Sequence, residues 1–147
     1  MSIPKLKNLI EASIDKPSRI GGVVVKSDGK LLLTKRSELA GKYPNFWAVP
    51  MGHIKDDEKF IDGAAREFKE ETMLDIDSDS LVYLDTLKDS KYNRILKLYM
   101  VELPNQPEPQ LDSEHTEYGY YDSQSLPRPM ERKLKTVLEL KTWVWKN

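Results

Sequence analysis

A chain of 147 residues, 39% hydrophobic and 32% charged, is sized for one compact domain around a single core. Its net charge of −1 supplies no global pull toward nucleic acid or an anionic membrane, so a polyanionic partner must be held by local cations or by bound metal. The absence of cysteine excludes disulfides, thiolate zinc sites and a cysteine nucleophile, and suits a reducing cytoplasmic interior.

Taken in chain order, residues 1–18 place Leu6, Ile10 and Ile14 at helical spacing ahead of Pro17, which predicts a short leader helix before a domain spanning 19–147. The longest apolar runs, such as Val23-Val24-Val25, are too short to cross a bilayer. Residues 20–26 and 30–35 are β-rich and flank Ser27-Asp28-Gly29, a hairpin signal because Asp-Gly tolerates the positive φ of a tight turn. Residues 37–45, with Gly41 and Pro44, read as a loop, and 46–49 as a strand stopped by Pro50 and Gly52. From 61 to 73 the pattern turns helical. A strand pair is expected over 81–87 and 94–102, joined by the polar turn 88–93. Residues 103–113 hold Pro104, Pro107 and Pro109 and little to bury, which predicts a surface loop.

A last strand is expected over 117–122. Pro129 then suits the first turn of a closing helix whose apolar stripe is Met130, Leu134, Val137 and Leu138. Trp143 and Trp145 follow, and are expected in the core or at a homodimer contact rather than stacked on a ligand. The order of elements predicts an α/β fold, a mixed sheet with helices on its faces.

The informative stretch is GHIKDDEKFIDGAAREFKEETML, residues 52–74. Glu67, Glu70 and Glu71 stand at i, i+3 and i+4, so at 3.6 residues per turn they crowd one helical face. As a solvated face, this stripe would cost a few tenths of a kcal/mol for each close pair, with Arg66 offsetting only part. A hard divalent cation would remove that repulsion, because Mg²⁺ prefers carboxylate oxygens. Ile61, Ala64, Ala65, Phe68 and Leu74 form an opposite apolar side, small enough in places for close approach to a sheet.

The wider spacing resembles the Nudix box, G-x5-E-x7-R-E-U-x-E-E-x-G-U with U apolar. Gly52, Glu58, Arg66, Glu67, Phe68, Glu70, Glu71 and Leu74 all fit. Six of these are fixed residue types, so a chance match is on the order of 10⁻⁷ per window at average residue frequencies. The likeness runs over roughly residues 20–140. It includes Leu32-Leu33-Thr34-Lys35-Arg36-Ser37 before the box, Phe46-Trp47-Ala48-Val49-Pro50-Met51-Gly52 entering it, and Ser113-Glu114-His115-Thr116-Glu117-Tyr118 after it. Two positions depart. Met51 replaces the first glycine of a common pair, which ordinary backbone angles would allow. Met73 replaces the glycine that closes the box helix, where a left-handed non-glycine residue costs about 1 kcal/mol.

The resemblance implies an α/β/α sandwich and Mg²⁺- or Mn²⁺-dependent hydrolysis of a pyrophosphate bond in a nucleoside diphosphate linked to another group. It implies metal ligation by Glu67, Glu70, Glu71 and the Gly52 carbonyl, with Glu67 or Glu114 accepting a proton. Arg66 is expected to orient a carboxylate through a forked hydrogen bond, with Glu58 as partner. Lys35, Arg36 and Trp47 are candidate substrate contacts. Alternation along the strand allows only one of Lys35 and Arg36 to meet phosphate. His53 and His115 are expected as loop or packing residues. The substrate stays open between dinucleoside polyphosphates, nucleoside triphosphates, nucleotide sugars and coenzyme A type compounds. A catalytically silent nucleotide-binding module is the alternative. The expected partner is a small nucleotide substrate, a homodimer stays open, and neither nucleic acid nor membrane is expected.

Overall fold

Strand β1 (Ser18–Ser27) is the axis of the fold, and its Gly-Gly-Val-Val-Val run explains why. In this computed structural model, which describes residues 16–142, both faces of β1 are buried, and alternate side chains enter opposite cores. Val24 joins Leu31, Leu33, Trp47, Val49, Leu98 and Met100 under Leu134, Val137 and Leu138 of helix α2 (Arg132–Lys141). Val23 and Val25 join Leu32, Tyr99 and Val101 under Ala64 and Phe68 of helix α1 (Phe60–Thr72). One helix thus covers each face of a mixed sheet, the expected α/β/α arrangement. Phe68 is fully buried, and burial of such a ring is worth roughly 2–3 kcal/mol.

β2 (Lys30–Arg36) follows β1 through Asp28 and Gly29, at φ 50° and 78°, the left-handed pair that the hairpin requires. β2 carries β3 (Trp47–Ala48) on one side and β7 (His115–Tyr121) on the other, both antiparallel. On its far side β1 runs parallel to β6 (Arg94–Glu102), which pairs with β5 (Val82–Asp89). The N-terminal half of β1 also pairs with β4 (Met51–His53), Gly21 facing Gly52.

Three expectations differ from what is observed. The strand read over 46–49 is only two residues long, and β4 follows where the sequence signalled a stop. Pro50 does not end pairing, because its carbonyl accepts the Val23 amide (3.0 Å) and passes the chain from β2 to β1. The 103–113 segment is the expected loop, but it buries Pro109 and is fastened to the domain. Leu103 N–H donates to the Lys26 carbonyl, Gln106 N–H to Ser27 Oγ and Gln110 N–H to the Thr72 carbonyl. Pro129 lies ahead of α2 rather than in its first turn. Glu131 caps the helix, its carboxylate accepting the Lys133 and Leu134 amides, while the Pro129 carbonyl takes the Trp47 N–H. The predicted leader helix, up to residue 15, and Trp143 and Trp145 lie outside the described residues.

Gly21 and Ala64 set how closely α1 approaches the sheet. A Cβ on Gly21 would stand 2.9 Å from the Ala64 Cβ, so only glycine lets the helix sit at this depth. At its other end α1 closes on Met73, which is left-handed at φ 61° and donates its N–H to the Lys69 carbonyl. Its side chain is 60% exposed and contributes little packing to offset the backbone strain.

Candidate active site

Docking of α1 against β1 and β4 points its polar side at the segment 52–58, and Arg66 organises that side. Its guanidinium forks onto Glu58, Nε to Oε2 at 2.8 Å and Nη2 to Oε1 at 2.9 Å, and Nη2 also donates to the His53 carbonyl. Nη1 reaches Glu67 at 3.0 Å and both oxygens of Glu70 at 3.1 and 3.2 Å. This is the forked bond expected between Arg66 and Glu58. The guanidinium hydrogen bonds, with the Lys55 amide, pull the Glu58 carboxyl down to about 2, and Glu58 in turn stabilises the Arg66 charge. Four elements of polar structure therefore converge on one half-buried cation.

The three clustered glutamates, equivalent in sequence, occupy different environments. The Glu70 side chain is 58% exposed and, among the described residues, bonds only to Arg66. Glu67 is half-buried, and its carboxylate lies over Gly52, where a Cβ would coincide with it. Burial raises the Glu67 carboxyl, against the opposing Arg66 hydrogen bond. Glu71 is 5% exposed and belongs to the packed side of the helix. It accepts the Met51 amide at 3.1 Å and has no cationic partner among the described residues. Burial, together with the charges of Asp112, Glu67 and Glu114, pushes its carboxyl up to about 9. Met51 has ordinary backbone angles, so its departure from glycine is tolerated.

An uncompensated buried carboxylate facing further carboxylates is the arrangement that a hard cation stabilises. The oxygen-only donor set of Glu67, Glu71 and the Gly52 carbonyl suits Mg²⁺ or Mn²⁺. In the present geometry no three acidic or histidine side chains among the described residues converge on one point. Arg66 Nη1 holds both Glu67 and Glu70, while Glu71 accepts from the Met51 amide.

Glu67, Glu71 and Gly52 line a cleft of about 840 Å³. Glu114 lines it as well, on the turn before β7. The loop of Glu114 is anchored. Its carbonyl accepts the Ser37 amide at 2.8 Å, and Asp112 Oδ1 takes both the Glu114 amide and a short contact of 2.7 Å from His115 Nδ1. Arg36 lines the cleft, whereas Lys35 turns to the other face and pairs with Glu117 at 3.4 Å. Trp47 is buried in the core and borders an adjoining smaller cavity. His53 lines the cleft, its charged form disfavoured by burial and by Lys42 and Arg94.

Sequence reasoning passed over Lys42, Tyr92 and Arg94, which also line the cleft. They come from a loop, a turn and the first residue of β6, and no local spacing signals that the fold brings them to the same cleft as the acidic helix.

A sequence profile described as the NUDIX domain matches residues 15–140. The m7GpppN-mRNA hydrolase NUDT17 of Danio rerio is 44% identical over 52 residues, which are 35% of this chain and 17% of that protein. Nudix hydrolase 5 of Arabidopsis thaliana is 38% identical over 69 residues, 47% of this chain and 22% of that protein. The chain thus spans about a fifth of the length of these relatives. A MutT Nudix hydrolase structure from Burkholderia pseudomallei superposes with a TM-score of 0.70 at 23% identity, covering 84% of this chain and 96% of that one. The C. elegans Ap4A hydrolase superposes with a TM-score of 0.60 at 23% identity, covering 72% and 81%. At those identities the likeness is one of fold.

Proposed function

Because this chain belongs to the Nudix family, we propose that it hydrolyses a pyrophosphate bond in a nucleoside diphosphate linked to another group, with a divalent cation. The observation that carries the reading is one cleft lined by both carboxylates and cations. Uncompensated Glu71, Glu67, Gly52 and Glu114 supply oxygen donors, and Arg36, Lys42 and Arg94 supply positive charge for phosphate. An anionic phosphoanhydride would meet the basic groups directly and the carboxylates through a cation.

Mg²⁺ or Mn²⁺ held by Glu67, Glu70, Glu71 and the Gly52 carbonyl would offset the diphosphate charge and acidify the attacking water. Arg66 is bonded to Glu58 by a fork and to Glu67 and Glu70 through Nη1, so Glu67 and Glu70 would be the carboxylates free to turn to a cation while the fork holds. The water oxygen bonds to one phosphorus as the bridging P–O bond breaks, and the bridging oxygen leaves with the other phosphate. The proton of the water passes to a carboxylate of the cleft, Glu67 or Glu114. Arg36 takes phosphate oxygens: its Nε is spent on the Lys42 carbonyl at 2.8 Å, and its two terminal nitrogens have no hydrogen bond among the described residues.

The order Glu114-His115-Thr116-Glu117-Tyr118 supports a dinucleoside polyphosphate or nucleoside triphosphate as substrate. No helix among the described residues is long and apolar enough to cross a membrane, and the cysteine-free composition supports a cytoplasmic setting. The test is a panel of dinucleoside polyphosphates, nucleoside triphosphates, nucleotide sugars, coenzyme A and a capped dinucleotide, assayed with Mg²⁺ and with products identified by chromatography. Cleavage of a P–O–P bond is expected. Binding without turnover across the panel would overturn the reading and leave a silent nucleotide-binding module.

A further inference from the structure

The segment 103–114 links β6 to β7 and is tied down along its length. Leu103 and Gln106 bond to the end of β1, through the Lys26 carbonyl and Ser27 Oγ, and the Tyr120 hydroxyl of β7 donates to the Pro107 carbonyl. Gln110 N–H then donates, at 2.8 Å, to the carbonyl of Thr72, the residue after Glu71. The last carbonyls of a helix have no partner within it, so this bond both satisfies the end of α1 and fixes the segment beside Glu71.

Past Gln110 the ties close on one atom. Asp112 Oδ1 accepts the Glu114 amide at 3.1 Å and His115 Nδ1 at 2.7 Å, which requires that Nδ1 carry the proton. An aspartate that bonds the amide two residues on is an ordinary turn device. Here the same oxygen also holds a ring whose side chain is only 5% exposed, so the turn is pinned to the start of β7. The strand meets it with a bulge: Lys35 pairs with Glu117 and Arg36 with His115, leaving Thr116 as the extra residue. That residue draws Glu114 level with Ser37, whose amide the Glu114 carbonyl accepts at 2.8 Å. Without it Ser37 would face His115, and Glu114 would stand one place further from Arg36.

We propose that Asp112 is a positioning residue for the reaction: its bonds to the Glu114 amide and the His115 ring hold the Glu114 carboxylate in the cleft. This deepens the hydrolase reading and rests on it. Ser113 and Glu114 line the cleft and Asp112 does not, so Asp112 acts through the groups it holds and not by touching substrate. Displacing a reacting group by about 1 Å can cost on the order of a hundredfold in rate, so the bonds that fix this turn have leverage on kcat. The Asp112 charge also bears on Glu71, which gives the rival reading that the charge itself serves the cation. Asparagine separates the two, because it keeps the Oδ1 acceptor and loses the charge.

The test takes two readouts from the full chain. Amide hydrogen exchange, followed by ¹H–¹⁵N NMR in EDTA, reports on Ser37, whose bond to Glu114 does not itself involve Asp112. Kinetics on the best substrate of the panel give kcat and KM at saturating Mg²⁺. Asp112→Ala is expected to speed exchange at Ser37 several-fold, and to lower kcat by about tenfold with KM kept. Asp112→Asn should bring both back toward wild type. In a Glu114→Gln background, Asp112→Ala should cost little further, because the group it positions is already gone.

An Asp112→Asn protein as slow as Asp112→Ala would overturn the clasp and assign the effect to the charge. Unchanged kcat or unchanged Ser37 exchange in Asp112→Ala would overturn it too, as would a further loss of about tenfold in the Glu114→Gln background. Faster Ser37 exchange in Asp112→Ala, reversed in Asp112→Asn, with nothing in the panel cleaved by wild type, would support the clasp and overturn the hydrolase reading alone.

Discussion

Replacing Glu71 with glutamine separates the electrostatic cost of the site from its chemistry. In the unfolded chain this carboxyl ionises near 4.5, whereas burial and the neighbouring acids raise it to about 9 in the fold. A group raised in the folded state contributes stability below its unfolded pKa, and that contribution is lost as pH climbs toward the folded value. Each pH unit between the two is worth about 1.4 kcal/mol, so by pH 7 the metal-free protein has lost on the order of 3 kcal/mol. At this chain length that corresponds to roughly 6–12 °C in Tm. Glutamine needs no proton, and its amide oxygen still accepts the Met51 N–H. Melting curves in EDTA at pH 5, 7 and 9 should show wild type falling with pH and Glu71→Gln nearly flat beside it. Mg²⁺ should raise the wild-type Tm more at pH 9 than at pH 5, because the cation takes the place of the proton. Parallel pH profiles for the two proteins would refute the reasoning.

Arg66→Lys keeps a charge but cannot fork onto Glu58 while reaching Glu67 and Glu70, so it should lower both kcat and Tm, the latter by a few degrees in thermal melts. Glu114→Gln should lower kcat at saturating metal by at least about tenfold, the lower end for lost proton transfer or ligation. Its Tm should stay within about two degrees, because the Glu114 backbone holds the loop and its side chain does not. Unchanged kcat would leave Glu67 as the base. Met73→Gly relieves a left-handed methionine whose side chain is 60% exposed, so thermal unfolding should find it neutral or stabilised by up to about 1 kcal/mol. A clear loss would show that the Met73 side chain anchors the core.

Where the sequence is periodic or carries a local turn, it can be read in advance. Asp28-Gly29 announced the β1–β2 hairpin, the Ala64–Phe68 side of α1 announced its packing, and the glutamate spacing drew attention to the cleft. The Arg66–Glu58 fork followed from a motif and needed no geometry. What could not be read depends on contacts between distant segments. β4 exists because the β1 backbone accepts a three-residue partner beyond Pro50, which propensity does not reveal. Glu71 looks like Glu67 and Glu70 in sequence, yet helix packing buries it and leaves Glu70 in solvent. Tyr43, Arg94 and Lys42 come together only when the 37–45 loop folds onto the β5–β6 turn.

The activity proposed for the acidic side of α1 is metal-dependent phosphoanhydride hydrolysis. It is tested most directly by following P–O–P cleavage of the best substrate in the panel, by wild type and Glu67→Gln, as Mg²⁺ is titrated from EDTA to saturation. Cleavage that rises from nothing with Mg²⁺ in wild type, and falls by about a hundredfold or more in Glu67→Gln at saturating cation, is the expected result. Turnover that persists in EDTA, or that Glu67→Gln leaves intact, would contradict it.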